Sequence, residues 1–239
     1  HCYDFSKINQ SIQFNNAEYN QEFETLLGKK INLSGKNCVF TSNETIINLA
    51  GVMGGINTSC SEDTTNTLIE CAYFRPESII GKAVKYNLNS DASYKFERGV
   101  DPQIQEYALR RFIKIVSDHA QIMSLHIYNN NFEKIKIKEI DCNVSQINSI
   151  LGYKISDNLY FEYLNKLGFK LKNNKVIVPS YRHDISHAND LAEEVARIIG
   201  YDNIIASEFN ILDRVNNSKI TKEQCIKDFL IDNGFNEVI

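Results

Sequence analysis

Apolar and polar positions along this chain fall into two textures. Over the first fifty residues, short apolar runs at Ser11–Phe14, Lys30–Leu33, Cys38–Thr41 and Thr45–Leu49 are separated by polar breaks. Runs of this length bounded by Gly, Asn and Ser predict strands. Leu68–Phe74 predicts another, ending at Arg75-Pro76, where proline suits the first position of a short helix. Asp101-Pro102 then reads as an N-cap followed by proline at the first helical position. Beyond it Ile104, Ala108, Phe112, Ile115 and Val116 recur at spacings of three and four. That period predicts a helix of about four turns that packs its apolar face on a core.

The texture changes at Asn129-Asn130-Asn131. Phe132–Ile140 sets Ile135 and Ile137 against Lys134, Lys136 and Lys138, the alternation of a half-exposed strand. Val144–Leu151 predicts a helix that stops at Gly152. Ser156-Asp157 introduces a second, carrying Leu159, Tyr163, Leu164 and Leu167 and stopping at Gly168. Phe169–Leu171 and Lys175–Val178 flank Asn173-Asn174, the chemistry of a tight hairpin turn. Strand, two helices and a hairpin predict a small winged-helix-like α/β module after a mixed, β-rich region. The expected class is α+β, divided at 1–128, 132–205 and 206–239, with the last part opening a further domain.

Composition narrows this picture. With 239 residues, 43% hydrophobic and 23% charged, the chain has the balance of a globular protein rather than a disordered one. No run approaches the roughly 18 apolar residues of a spanning helix, so no membrane partner is expected. The start, His1-Cys2-Tyr3-Asp4, has neither initiator Met nor apolar leader and reads as a cut into a longer chain. Lys and Arg number 26 against 30 Asp and Glu, a net charge of −4. That argues against nucleic-acid coating by the whole surface and leaves room for a local RNA patch. The six cysteines form no CxxC pair, which argues against zinc fingers, thioredoxin-like sites and a disulfide framework, and for free thiols in a reducing cytoplasm.

Three segments carry candidate chemistry. Ala50–Gly55 places small residues after a strand, where backbone can approach a ligand closely. It is neither a GxGxxG fingerprint nor a P-loop, and a tight turn in a β-rich core explains it equally. Ser90–Pro102 is dense in hydroxyls and charges; read structurally it is a polar loop leading into a capped helix. In Arg182–Glu194, a helix starting near Asn189 sets Asp190, Glu193 and Glu194 on one face, with Asp184 just upstream. Such carboxylates suit Mg²⁺. Acids also belong in a helix's first turn, and Glu193 can pair with Arg197.

Taken in order, these segments resemble the β subunits of bacterial phenylalanine–tRNA ligases. The likeness rests on His1-Cys2-Tyr3-Asp4, Ala50–Gly55, Leu68–Phe74, Ser90–Pro102, Leu167-Gly168-Phe169, Val178–Ile185 and Asp190–Tyr201, and spans nearly the whole chain. It implies a cytoplasmic (αβ)₂ heterotetramer that charges tRNA with phenylalanine, with ATP used by the α subunit. Residues 1–128 would be the second half of an editing domain that hydrolyses Tyr-tRNA, 132–205 the following winged-helix-like domain, and 206–239 the start of a catalytic-like domain. The resemblance assigns His1, Gly54, Glu70, Ser90 and Ala92 to the editing pocket. Ser90 stands where the family usually has threonine, and Ala92 leaves room for the amino-acid ring. Asp184, Asp190, Glu193 and Glu194 match the family's Mg²⁺ set near the α–β contact.

These assignments have a chemical logic. Tyrosine exceeds phenylalanine by one hydroxyl, and a site that hydrogen-bonds it sorts the pair, since phenylalanine leaves a buried polar group unpaired. Glu70 is the expected partner of that hydroxyl, His1 orients a water, and backbone N–H groups around Gly54-Gly55 hold the oxyanion. The rival reading is a non-catalytic structural and tRNA-binding subunit with a decayed pocket. A DNA-binding winged helix is disfavoured, because Asp157–Leu167 carries one lysine, Lys166, against Asp157 and Glu162.

Overall fold

The computed structural model describes residues 1–8, 11–129, 136–205 and 221–238. Its longest feature is a hairpin of β2 (Gln13–Glu24) and β3 (Lys30–Ser42), paired from Gln13 opposite Thr41 to Glu24 opposite Lys30. β4 (Thr45–Leu49) returns along β3, and β5 (Met53–Gly54) along β4, giving an antiparallel sheet in the order β2-β3-β4-β5. The two predicted runs Lys30–Leu33 and Cys38–Thr41 are one strand. Gly35 carries the chain across the polar break at φ 67°, and the Asn37 side-chain amide donates to the Ser34 and Gly35 carbonyls at 3.2 and 2.9 Å. β2 runs ten residues past the predicted Phe14 through a polar sequence. Its ladder with β3, rather than an apolar face of its own, holds it extended.

A separate antiparallel pair joins β1 (Cys2–Asp4) to β6 (Thr67–Ile69), with Tyr3 opposite Leu68. The strand predicted over Leu68–Phe74 thus ends at Ile69. Four helices follow: α1 (Pro76–Ile79), with proline at its first position, α2 (Lys82–Tyr86), α3 (Asp91–Arg98) and α4 (Gln105–Ser117). Phe23, Leu33, Val39, Leu49, Val52, Phe74, Ile79 and Leu88 form the core between sheet and helices. α4 departs from expectation twice. It starts three residues after Pro102, because Asp101 closes its own turn by accepting from the Gln103 N–H at 2.9 Å. None of its residues is buried, so Tyr107, Phe112 and Ile115 are exposed and the expected core contact is not formed among the described residues.

The second core is built from β7 (Glu139–Asp141), α5 (Val144–Leu151), α6 (Asp157–Lys166), β8 (Lys170–Lys172), β9 (Lys175–Ile177) and α7 (Ala188–Ile199). Here local signals fix the elements. The Asn143 and Ser156 side chains cap α5 and α6, and Gly152 closes α5 in the left-handed region. Asn173 and Asn174 take φ 50° and 59°, the geometry of a two-residue hairpin that matches strand twist. The strands order β7-β9-β8 and cover Ile147, Tyr160, Leu164, Leu191 and Val195. The chain is therefore α+β, a β-rich region followed by a small α/β module. The predicted strand Phe132–Ile140 lies partly outside the described residues, as do the Asn130-Asn131 break and residues 206–220 of the expected third part. α8 (Lys222–Asp232) buries none of its residues. Among the described residues no helix is long and apolar enough to cross a membrane.

One buried group in the second core lacks a partner. Tyr160 is fully buried, and its hydroxyl finds no hydrogen bond among the described residues. Burying an unpaired hydroxyl is unfavourable, so Tyr160→Phe is expected to raise unfolding stability by about 1 kcal/mol, read by urea denaturation. A loss would mean that the hydroxyl is satisfied in solution.

Candidate functional site

The pairing of β1 with β6 continues beyond both strands. The Glu70 N–H donates to the His1 carbonyl at 2.8 Å, and the His1 nitrogen donates to the Glu70 carbonyl at 2.7 Å. Alternate residues of a strand share a face, so His1 and Tyr3 stand together, their rings edge-on at 4.5 Å. Glu70, directly opposite His1, reaches diagonally to Tyr3. Gly54 lies against the imidazole, and a Cβ there would overlap His1 Cε1 and Nε2 and approach Leu26 Cδ1 to 3.1 Å. Only glycine allows that approach.

β4 brings in Asn48, opposite Gly54 in the β4–β5 pairing. Its side-chain amide donates to Tyr3 Oη at 2.7 Å and to Glu70 Oε2 at 3.3 Å, while Tyr3 Oη donates to the same Oε2 at 3.1 Å. Tyr3 and Asn48 are buried. Burial pushes the Glu70 carboxyl above its ordinary value; the charge on the His1 amino group and then the hydrogen bond from Tyr3 oppose part of that rise. The Tyr3 phenol is raised too, first by burial and then by the facing Glu70 charge.

Ser90 is the N-cap of α3. Its hydroxyl accepts from the Ser93 N–H at 3.1 Å and donates to the Val52 carbonyl at 2.6 Å, so it ties α3 to the segment two residues before Gly54. Ala92 is exposed in the first turn of α3. The fold thus brings His1, Gly54 and Glu70 together and links Ser90 to the same region through the Val52 carbonyl. One expectation needs correcting: the Gly55 N–H donates to the Ile47 carbonyl at 2.8 Å and is not free to hold an oxyanion. Tyr3 and Asn48 were not singled out from the sequence. Asn48 had a signal, being an amide inside the apolar run Thr45–Leu49.

The acidic set is arranged differently from the sequence expectation. Arg182 bridges two of its members, with its guanidinium 2.6 Å from Asp184 and 2.7 Å from Glu194. Arg197 adds a contact to Glu194 at 2.9 Å. Arg182 holds both carboxyls below their ordinary range. Asp190 turns back to cap α7, accepting from the Ser186 and His187 N–H groups at 2.7 and 2.8 Å, and those bonds lower its value. Glu193 points outward, exposed. The described residues contain no group of three metal-type side chains that could hold an ion. With a guanidinium between Asp184 and Glu194, these residues do not fit a bound Mg²⁺.

Residues 1–121, just over half of the chain, match the B3/4 domain family, and residues 140–201 match the tRNA synthetase B5 domain. The whole chain aligns with phenylalanine–tRNA ligase β subunits: 34% identity to that of Ehrlichia canis, 32% to that of Francisella tularensis and 31% to that of Photorhabdus laumondii. It spans 31%, 32% and 31% of the length of those proteins, in the same order. A solved N-terminal fragment of the phenylalanyl-tRNA synthetase β subunit from Pyrococcus horikoshii aligns with 84% of this chain and 59% of its own, at 16% identity and a TM-score of 0.42.

The two carboxylate environments have opposite pH signatures. The raised value of Glu70 means that the fold binds its proton more tightly than the unfolded chain does. Its share of stability is present below the ordinary carboxylate value and lost as pH rises through the folded value. Glu70→Gln is therefore expected to gain about 0.5–1 kcal/mol at neutral pH and little at pH 4, read by melting across pH. A gain independent of pH would contradict the assigned cause. Glu194 and Asp184, with lowered values, contribute stability above the ordinary range that is lost as pH falls through their folded values. Arg182→Met leaves Glu194 buried with Arg197 alone and is expected to cost about 3 kcal/mol and flatten the acid limb. Chelator should shift neither protein's melting point; a chelator-sensitive wild type would restore the ion.

Proposed function

The chain belongs to the phenylalanine–tRNA ligase β-subunit family, with a B3/4 domain followed by a tRNA synthetase B5 domain, and on that premise we propose that it carries an editing site. This site hydrolyses tyrosine wrongly esterified to the tRNA for phenylalanine. The observation that carries the reading is the Glu70 carboxylate: desolvated, held at Oε2 by Tyr3 and Asn48, and adjacent to His1. Its Oε1 accepts the para-hydroxyl of a tyrosyl group. A phenylalanyl group leaves that acceptor dehydrated and unpaired, the penalty that lets a site prefer the substrate with one more hydroxyl.

Hydrolysis then needs an aligned water. His1, exposed on the rim and backed by Gly54, orients a water toward the ester carbonyl carbon. The water oxygen bonds to that carbon, the bond to the tRNA ribose oxygen breaks, and that oxygen leaves with a proton. Ser90 acts through structure, fixing α3 against Val52. Its hydroxyl is already engaged twice, which is the one feature favouring a subunit whose pocket only positions tRNA.

The wider setting is part of the same proposal. The subunit pairs with an α subunit in an (αβ)₂ assembly in the cytoplasm, binds the tRNA for phenylalanine and leaves ATP-dependent charging to α. Its parts are 1–128 for editing, 132–205 for the winged-helix-like domain and 206–239 for the start of the region facing α.

The test uses the enzyme assembled with its α subunit, with deacylation of Tyr-tRNA and Phe-tRNA followed side by side. The wild type should clear tyrosine selectively, and Glu70→Ala should lower the Tyr-over-Phe ratio at least about tenfold. An unchanged ratio removes Glu70 from this role. No hydrolysis by an enzyme that still charges phenylalanine makes the chain a scaffold.

A further inference from the structure

Glu70 is held in an unusual way. The bond between its carboxylate and Cγ is a soft, nearly two-fold torsion, so a free glutamate presents either oxygen in a broad range of directions. Here two neutral donors from different strands converge on one oxygen. Tyr3 Oη of β1 lies 3.1 Å and Asn48 Nδ2 of β4 lies 3.3 Å from Oε2, and Asn48 also donates to Tyr3 Oη at 2.7 Å. No described side chain donates to Oε1, and that atom is not among the fully buried unpaired ones, so it is unpaired by side chains and not sealed from solvent. Tyr3 and Asn48 are buried and Glu70 is half-buried beside them, and polar groups converging there are costly unless they satisfy one another.

We propose that Tyr3 and Asn48 are positioning residues of the editing site, clamping Glu70 Oε2 so that Oε1 alone is presented to the para-hydroxyl of a bound tyrosyl group. The inference rests on the reading of Glu70 as the hydroxyl acceptor. The clamp fixes the carboxylate plane before substrate arrives, so no ordering of the acceptor accompanies binding. It also sets the penalty against phenylalanine. The clamped carboxylate cannot turn Oε1 toward another donor when the substrate hydroxyl is missing. Tyr3 has a second contact, its ring against His1 at 4.5 Å, and through it the acceptor and the water-orienting imidazole share one support.

The test uses the assembled αβ enzyme carrying Tyr3→Phe, Asn48→Ala, Glu70→Ala and the double change Tyr3→Phe with Glu70→Ala. kcat and KM are read for Tyr-tRNA and Phe-tRNA deacylation. Tyr3→Phe keeps the ring and its contact with His1 and removes one of the two clamping bonds, together with the hydroxyl that Asn48 donates to. It should lower the Tyr-over-Phe ratio of kcat/KM by about threefold to tenfold, the worth of one hydrogen bond. Asn48→Ala should act in the same direction. In the Glu70→Ala background Tyr3→Phe should have no further effect on the ratio, because its action runs through Glu70. Equal loss on both substrates, or a Tyr3→Phe effect that persists without Glu70, overturns the inference and leaves the editing reading standing. A ratio unmoved by Glu70→Ala itself removes Glu70 from the acceptor role, and the clamp with it, while loss of all deacylation by an enzyme that still charges phenylalanine overturns the editing reading. Melting points separate either result from simple unfolding.

Discussion

Everything at the candidate site hangs on the short antiparallel contact between Cys2–Asp4 and Thr67–Ile69. His1 and Glu70 are 69 positions apart, and only this pairing sets them side by side. Two strands of three residues are marginal by themselves. Their strength comes from the far end, where buried Asp4 accepts from the Ser6 and Thr64 hydroxyls at 2.6 and 2.8 Å and Lys7 donates to the Ser59 carbonyl at 2.7 Å. Tyr3, in the middle, is wholly buried and bonded to β4 through Asn48. The pairing is thus locked to the four-stranded sheet at one end and to the 59–64 loop at the other.

That lock explains why the glycine pair matters more for space than for hydrogen bonding. β5 runs close under His1, and any side chain on Gly54 would push the imidazole from its place. A Cβ on Gly55 would meet the Ile47 carbonyl oxygen at 2.9 Å. Both positions are glycine because three strands converge there, and the Gly55 amide is already bonded within the sheet. The Gly55 amide is therefore not a donor that the proposed hydrolysis can draw on, and His1 stands exposed at the rim of the group.

What the sequence made legible was local. Thr45–Leu49, Val144–Leu151 and the Asn173-Asn174 turn follow from runs, caps and turn chemistry within a few residues, and they stand where those signals put them. Long-range effects were not legible. Beyond Phe14, β2 is largely polar and was not predicted as strand; it is extended because β3 lies beside it. The period of α4 correctly groups Ile104, Ala108, Phe112 and Ile115 on one side, but a period states which residues share a face, not whether anything covers it. The convergence of His1, Gly54 and Glu70 was expected only through long motifs taken in order. Tyr3 and Asn48 were not, because their role exists only where three distant strands meet.

Buried Glu194 and half-buried Glu70 show how the choice of partner separates structure from chemistry. Glu194 is met by Arg182 and Arg197, its value is lowered, and the fixed cations draw on both of its oxygens. Such a group is stable and closed, and spacing alone overlooked the guanidinium that closes it, although Arg182 lies only two residues from Asp184. Glu70 is met by a phenol and an amide, its value is raised, and one oxygen stays open. Neutral donors can orient a carboxylate without discharging it, so the group keeps both its direction and its appetite for another hydrogen bond. A cationic side chain bonded to the open oxygen would make the region more stable and remove the basis of the proposed preference for a hydroxyl, because the acceptor would no longer depend on a substrate for its last partner. The unfavourable burial of Glu70 is therefore the physical source of the selectivity assigned to it.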